Sequence, residues 1–357
     1  MFNFEKELIG RKILVTGNTG FTGSWLSLWL ESLGIDYLGY SLPPETIPSL
    51  FELANLAETS NTVFGDILDY EKLHQTVREF EPDLVIHLAA QPLVRRSYKS
   101  PRDTFNVNCQ GTVNVLESCR GIKSVIAILC ITTDKVYLNN DSGKKFVESD
   151  ELGGRDPYSS SKVAAEHAIH SYRTSFPHES FELPLIAVAR GGNIIGGGDW
   201  SEDRIIPDLV RAEFEGVPIE IRNPYATRPW QHVLALVQGY LQLLAALTSE
   251  QGTQYSKAWN FGPLEDSEKD VKYLIDAASK NWNLNLVKIG AGSTKESQRL
   301  SIDSSAARGQ LGWNPRLSVE ETLEQTLNWY RQLYEDKIPA RELCMNEIHA
   351  WKMNNTK

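Results

Sequence analysis

The stretch Lys12-Ile-Leu-Val-Thr16-Gly17-Asn18-Thr19-Gly20-Phe21-Thr22-Gly23, continued by Ser24-Trp25-Leu26-Ser27-Leu28-Trp29-Leu30, decides the fold. An apolar run of strand length meets glycines at positions 17, 20 and 23, and a helix follows over Gly23–Leu33. Trp25, Leu26, Trp29, Leu30 and Leu33 lie along one side of that helix, and Gly34 ends it. Strand, tight turn and helix in this order place unpaired N–H groups where they attract an anion such as a dinucleotide's pyrophosphate. A plain structural turn is the alternative.

Outward from this unit the first half keeps alternating. Tyr37–Tyr40, Thr62–Phe64, Leu84–Leu88, Val125–Ile131 and Leu185–Ala189 have strand composition, and Tyr70–Phe80, Pro101–Arg120 and Tyr158–Thr174 have helical periodicity. Repeated βαβ units imply an α/β fold, a Rossmann-type doubly wound parallel sheet. After Arg190 the texture changes. Gly191-Gly-Asn193-Ile-Ile-Gly-Gly-Gly198-Asp199-Trp200 predicts a loop, and helices are expected at Ile206–Glu215, His232–Leu247, Asp270–Asn281 and Val319–Tyr334. The expected division is a dinucleotide-binding domain over 1–190, with a return segment near 230–262. A smaller, mostly helical α/β substrate-binding domain would take 191–229 and 263–357.

Composition narrows the class. The 357 residues carry a net charge of −10, which argues against a nucleic-acid partner. No apolar run reaches the roughly 20 residues of a membrane helix, the longest being Ser124–Thr132. The start of the chain lacks a signal peptide's order, and Cys109, Cys119, Cys130 and Cys344 have neither disulfide nor zinc spacing, which suits a cytoplasmic, metal-free protein.

Two motifs carry chemistry. Tyr158 and Lys162, four apart on a helix, share a face, and an ammonium near a phenol favours phenolate, which can take a hydroxyl proton during hydride transfer. Asp134-Lys135 follows a buried strand, where open α/β sheets place active groups. It adds an acid and a base that alcohol oxidation does not need. Strand two ends at Ser41 without a carboxylate, so NAD and NADP both stay open, and Asp66-Ile67 is placed for the adenine. Arg95, Arg96, Arg204, Arg222 and Arg228 form a diphosphate clamp if they converge, and His87 and His232 are expected to orient backbone or pack.

Together with Gly39-Tyr40-Ser41-Leu-Pro-Pro44, Ala90-Gln91-Pro-Leu-Val-Arg95-Arg96-Ser97-Tyr98, Gly-Gly-Gly198-Asp199-Trp200 and Arg228-Pro-Trp-Gln-His232-Val, these residues resemble the extended short-chain dehydrogenase/reductase superfamily. The likeness runs from Gly17 to Pro315 and is strongest to its CDP-glucose 4,6-dehydratase branch; Lys135 stands where the dTDP-glucose and GDP-mannose branches carry glutamate. Only the segment Leu138–Gly143 is less charged than the branch's usual text.

The resemblance implies NAD as cofactor, CDP-glucose as substrate, a role in deoxysugar synthesis for surface polysaccharide, and a homodimer, with a homotetramer as the larger option. It implies catalysis by Thr133, Asp134, Lys135, Tyr158 and Lys162. Cofactor contacts fall on Gly17, Asn18, Gly20, Phe21, Thr22, Gly23, Ser41, Asp66, Ile67, Leu88, Ala89, Ala90, Gln91, Asn108, Tyr158 and Lys162. Substrate contacts fall on Gln91, Arg96, Ser97, Asn193, Trp200, Arg204, Arg228 and His232. The alternatives are a 4-epimerase or dehydratase acting on another nucleotide sugar, and a non-catalytic nicotinamide-binding regulator.

Overall fold

A computed structural model describes residues 3–176, 183–221, 223–264, 268–280, 282, 284, 287–289 and 299–353. Arg222, and Asn281 at the expected end of a helix, lie outside the described residues. Seven strands form one sheet: β1 (Lys12–Thr16), β2 (Asp36–Ser41), β3 (Asn61–Phe64), β4 (Leu84–His87), β5 (Ala127–Ile131), β6 (Leu185–Gly191) and β7 (Ala258–Phe261). Their order is β7-β6-β5-β4-β1-β2-β3, and every neighbouring pair is parallel. This is the doubly wound Rossmann arrangement. The chain switches direction between β1 and β4, where Thr16 stands beside His87 at the carboxyl end.

The local sequence explains the elements. β1, β4 and β5 are buried almost throughout, as strands covered by helices on both faces must be. Helix α1 (Phe21–Ser32) buries every residue from Gly23 to Leu30, and its two tryptophans are fully enclosed. It starts two residues earlier than the periodicity suggests, because Gly20 serves as N-cap. Helix α2 (Tyr70–Phe80) is capped by Asp69, whose side chain accepts from Lys72 N.

The predicted single helix over Pro101–Arg120 is interrupted: a π-helical turn at Asn106–Gln110 leads into α3 (Gly111–Cys119). The wider turn directs Asn108 inward, where its carboxamide bonds the backbone N–H and C=O of Gln91 and also Ser161 Oγ. Helix α4 (Pro157–Ser175) opens with a reciprocal capping box between Asp156 and Ser159, which fixes the first turn that carries Tyr158.

In the second half, α5 (Ile205–Glu215), α6 (Val233–Leu247), α7 (Val319–Tyr334) and α8 (Ala340–Met353) are the longest helices among the described residues. All fifteen residues of α6 are buried, so it acts as a core helix beneath the sheet. β7 returns to the main sheet after α6.

The glycine-rich segment is not wholly irregular, contrary to the sequence expectation. β6 runs to Gly191, and Ile194–Ile195 pairs in parallel with Gln231–His232. Gly196–Gly198 then passes between α1 and α7. Trp25 Nε1 donates to Gly197 O at 2.9 Å, and a Cβ on Gly197 would stand 2.0 Å from the Trp329 ring. The Tyr330 hydroxyl accepts from Asp199 N at 2.9 Å and donates to Asp199 O at 2.7 Å. That one buried hydroxyl ties both backbone groups of Asp199 to α7.

Tyr330→Phe leaves two buried backbone groups unpaired, at a cost of about 1–3 kcal/mol each. A lowered urea midpoint with unchanged sheet content is the expected outcome.

Candidate active site

The carboxyl ends of β1, β2, β4, β5 and β6, with loops of the second half, enclose a cavity of about 840 Å³. That volume suits large small-molecule ligands. At one end lies the turn Gly17–Gly23. Gly17 has φ +78°, and a Cβ there would stand 2.6 Å from Ala89 N, so the crossing of the turn with the loop after β4 requires glycine. A Cβ on Gly20 would meet only Gly17 O, at 3.5 Å, and Gly20 caps α1 with no side-chain hydrogen bond, which leaves the first N–H groups of the helix available to an anion. The turn and the helix start therefore fit a dinucleotide pyrophosphate.

Gly17, Gly20, Phe21, Thr22, Gly23, Ser41, Asp66, Ile67, Leu88, Ala89, Ala90, Gln91, Tyr158 and Lys162 all line the cavity, as expected of cofactor contacts. Two side chains do not. Asn18 turns behind the sheet, where Nδ2 donates to Thr62 Oγ1 at 2.8 Å. Asn108 is spent on Gln91 and Ser161.

Of the substrate residues, Gln91, Arg96, Asn193, Trp200, Arg204 and Arg228 line the cavity; Ser97 and His232 do not. Ser97 is fully buried and donates to Val94 O at 2.6 Å. His232 stacks on Trp351, and its Nδ1 accepts from Leu234 N at the start of α6. Burial pushes its imidazole down to about 3, so it stays neutral. His87 bridges Thr16 and Thr112 through its two ring nitrogens at 2.7 and 3.0 Å.

Arg95, Arg96, Arg204 and Arg228 converge on the cavity, the first three as carboxylate partners rather than a free clamp. Arg95 pairs with Asp203, Arg96 with Glu45 and Glu202, and Arg204 with Asp199. Glu45, Asp199, Glu202 and Asp203 all line the cavity; Asp199 belongs to the quoted Gly-Gly-Gly198-Asp199-Trp200 motif, and the other three are marked only by their proximity in space. Tyr240 is another lining residue that sequence missed, because it sits inside the wholly buried, mostly apolar α6.

The catalytic candidates are assembled at the end of β5. Thr133, Asp134, Lys135, Tyr158 and Lys162 share the cavity wall. Thr133 Oγ1 donates to Asp134 Oδ1 at 3.1 Å and accepts from Lys135 N at 3.3 Å. Asn193 Nδ2 donates to Asp134 Oδ2 at 3.1 Å. Gly192 makes room for that carboxylate, since a Cβ there would stand 2.3 Å from Asp134 Oδ1.

Burial raises the Asp134 carboxyl above the usual range; the Lys135 ammonium, the Thr133 hydroxyl and Arg228 oppose the rise. The group is thereby suited to hold a proton. Burial also pushes the Tyr158 phenol up to about 12, with Thr133 pulling it down and Asp134 adding to the rise. The expected lysine-stabilised phenolate is therefore not the state of the free site. Lys162 is itself desolvated, down to about 8, and its Nζ donates to Ile131 O at 3.2 Å.

A family model, "GDP-mannose 4,6 dehydratase", matches residues 14–326. The chain belongs to this family. A CDP-glucose 4,6-dehydratase of Salmonella typhimurium is 42% identical over 328 residues, 90% of this chain and 91% of that one. A human dTDP-D-glucose 4,6-dehydratase is 26% identical, covering 91% of each chain.

Among solved structures, a dTDP-glucose 4,6-dehydratase of Streptomyces venezuelae with NAD and TYD bound superposes with TM-score 0.76 at 24% identity, over 91% of this chain and 99% of that one. A UDP-glucose 4-epimerase of Thermus thermophilus in complex with NAD gives TM-score 0.76 at 22% identity, over 90% and 99%. These two share the fold.

The desolvated Lys162 has a stability consequence. Its folded pKa of about 8 lies below the unfolded value of 10.5, so the unfolded chain binds more protons between these limits and stability rises with pH across them. Below pH 8 the full penalty applies, roughly 3 kcal/mol. Lys162→Met should therefore be more stable than the parent at pH 7 by an amount of that order, and the gap should close as pH rises through the window. Urea unfolding at several pH values checks this.

Proposed function

We propose that the protein is an NAD-dependent nucleotide-sugar 4,6-dehydratase that converts CDP-glucose to CDP-4-dehydro-6-deoxyglucose and water. The observation that carries it is the convergence, in one cavity, of a redox pair (Tyr158, Lys162) with an elimination pair (Asp134, Lys135). Simple oxidation or 4-epimerisation uses only the first. The choice of cytidine rests on the 42% identity to the Salmonella enzyme and on Lys135 in place of glutamate.

Gly17, Gly20 and Gly23 would hold the pyrophosphate of NAD, with Ser41 and Asp66 toward the adenosine. When bound, NAD supplies an acceptor for the hydride of carbon 4 and a donor of hydride to carbon 6. Tyr158 removes the proton of the hydroxyl on carbon 4. That requires its phenol to fall from about 12, which the positive charge of an oxidised nicotinamide would favour. Thr133 hydrogen-bonds the oxygen on carbon 4.

Lys135, in its neutral amine form, takes the proton of carbon 5, made acidic by the new ketone, and later returns it to that carbon. Asp134, already favoured in its protonated form, gives its proton to the departing hydroxyl of carbon 6, which leaves as water. Arg96, Arg204 and Arg228 serve the diphosphate, and Arg96 and Arg204 would do so by exchanging their present carboxylates for it.

In this reading residues 1–190, with the return near 230–262, hold the cofactor, and 191–229 with 263–357 hold the nucleotide sugar. Two copies pair through the segments Pro101–Cys119 and α4, in the cytoplasm; no helix among the described residues is long and apolar enough to cross a membrane.

CDP-glucose assayed beside dTDP-, UDP- and GDP-sugars should alone give a 4-keto sugar at high kcat/KM. Preference for another nucleotide would overturn the substrate. Asp134→Asn should lose roughly 10²–10⁴-fold in the elimination step while stopped-flow absorbance still records reduction of the nicotinamide by substrate. If reduction is lost equally, Asp134 is not the acid of the elimination alone.

A further inference from the structure

Behind the catalytic turn lies a buried ion pair that the chemistry above does not use. Glu166 stands one helical turn beyond Lys162 on α4, and Arg190 is near the end of β6; their side chains are 5% and 4% exposed. Glu166 accepts from Thr132 Oγ1 at 2.7 Å, from Arg190 Nε at 2.9 and 3.1 Å through its two oxygens, and from Arg190 Nη2. Arg190 Nη1 donates to the Tyr137 hydroxyl at 2.8 Å and to Glu148 O at 3.1 Å. The Tyr137 hydroxyl donates in turn to Asn260 Oδ1 on β7, at 2.6 Å.

Thr132 and Tyr137 bracket the turn that holds Thr133, Asp134 and Lys135. The segment is thus gripped on both flanks by one ion pair, while Lys162 Nζ grips Ile131 O just before it. Burying two charges is a poor route to stability, because an apolar pair of similar volume does as well or better. What the pair supplies is direction. Each bond fixes a specific atom of β5, β6, β7 or α4 relative to the turn, and the polar groups along this chain satisfy one another.

We propose that Glu166 and Arg190 are a positioning pair that holds the Thr133–Lys135 turn in register with Tyr158 and Lys162, so that the elimination pair and the redox pair address the same sugar. Neither residue lines the cavity. This rests on the dehydratase reading above.

Glu166 also faces Lys162, and its charge favours the ammonium there. The other titratable groups facing Lys162 are Cys130 on β5 and His87 on β4; those facing Glu166 are Arg190 on β6, Arg173 on α4 and Cys130.

The test compares Thr132→Val and Tyr137→Phe, which each delete one hydroxyl, with Glu166→Gln and the apolar double variant Glu166→Leu/Arg190→Met. The double variant removes both members of the ion pair together, so neither is left as a buried charge without its partner, and it is the one expected to keep the fold. Each hydroxyl variant should lose roughly tenfold in kcat, about one directed hydrogen bond, with dissociation constants for NAD and CDP-glucose unchanged. The double variant should lose more. Glu166→Gln should also shift the alkaline limb of the kcat profile to lower pH, which a merely structural residue would not do.

Amide exchange across residues 131–137 should quicken in all four. A folded double variant with parental kcat and parental exchange would overturn the proposal. Losses of kcat matched by equal losses of ligand affinity would do the same. If the parent turns over no nucleotide sugar, the dehydratase reading fails by itself, and the exchange comparison still decides whether the pair holds the turn.

Discussion

Everything in this molecule is arranged around the place where β1 and β4 part. Two parallel strands lie side by side, and the chain beyond each turns to an opposite face of the sheet. The crevice left at their carboxyl ends is a consequence of topology, not of any particular side chain. Gly17 can cross Ala89 there only because it has no Cβ. His87, held neutral by burial at about 3, ties the two strand ends through Thr16 and passes the tie to α3 through Thr112. Once that crevice exists, the ends of β5 and β6 fall along its wall, and the catalytic turn and the glycine segment follow from their place in the strand order.

The site's electrostatics depend on the same enclosure. Burial favours the proton on Asp134 and on Tyr158, and disfavours the charge on Lys162. All three are thus biased toward their neutral forms, the resting state suited to an acid that waits for a leaving group. The cavity arginines Arg95, Arg96 and Arg204 are likewise already partnered by acidic side chains. An anionic ligand would exchange one set of charge-assisted bonds for another rather than meet naked cations.

Much of this was legible in the sequence where the cause is local. The Gly17–Gly23 turn, the alternation of strands and helices, Tyr158 with Lys162, and Asp134 with Lys135 are all written within a few residues of one another. What escaped is non-local. The carboxylates Glu45, Glu202 and Asp203 meet Arg95 and Arg96 from loops scores of residues away, and Tyr240 is hidden in a helix whose every position is apolar or buried.

Asn18, Asn108, Ser97 and His232 were assigned to ligand by motif, yet their side chains hold the protein together instead. The π-helical turn around Asn108 has no compositional signal at all. The spacing of four residues shows that Tyr158 and Lys162 are adjacent, but not that burial pushes the phenol up to about 12, because that depends on how much water the whole fold excludes.

The central claim is that one cavity carries hydride both out of carbon 4 and into carbon 6 of the same sugar. The most direct measurement uses CDP-glucose bearing deuterium at carbon 4, mixed with unlabelled substrate, with the product's label located by NMR and mass spectrometry. The account requires deuterium at carbon 6 of the product, within the molecule that carried it in. Label retained at carbon 4, lost to solvent, or shared between molecules would contradict it.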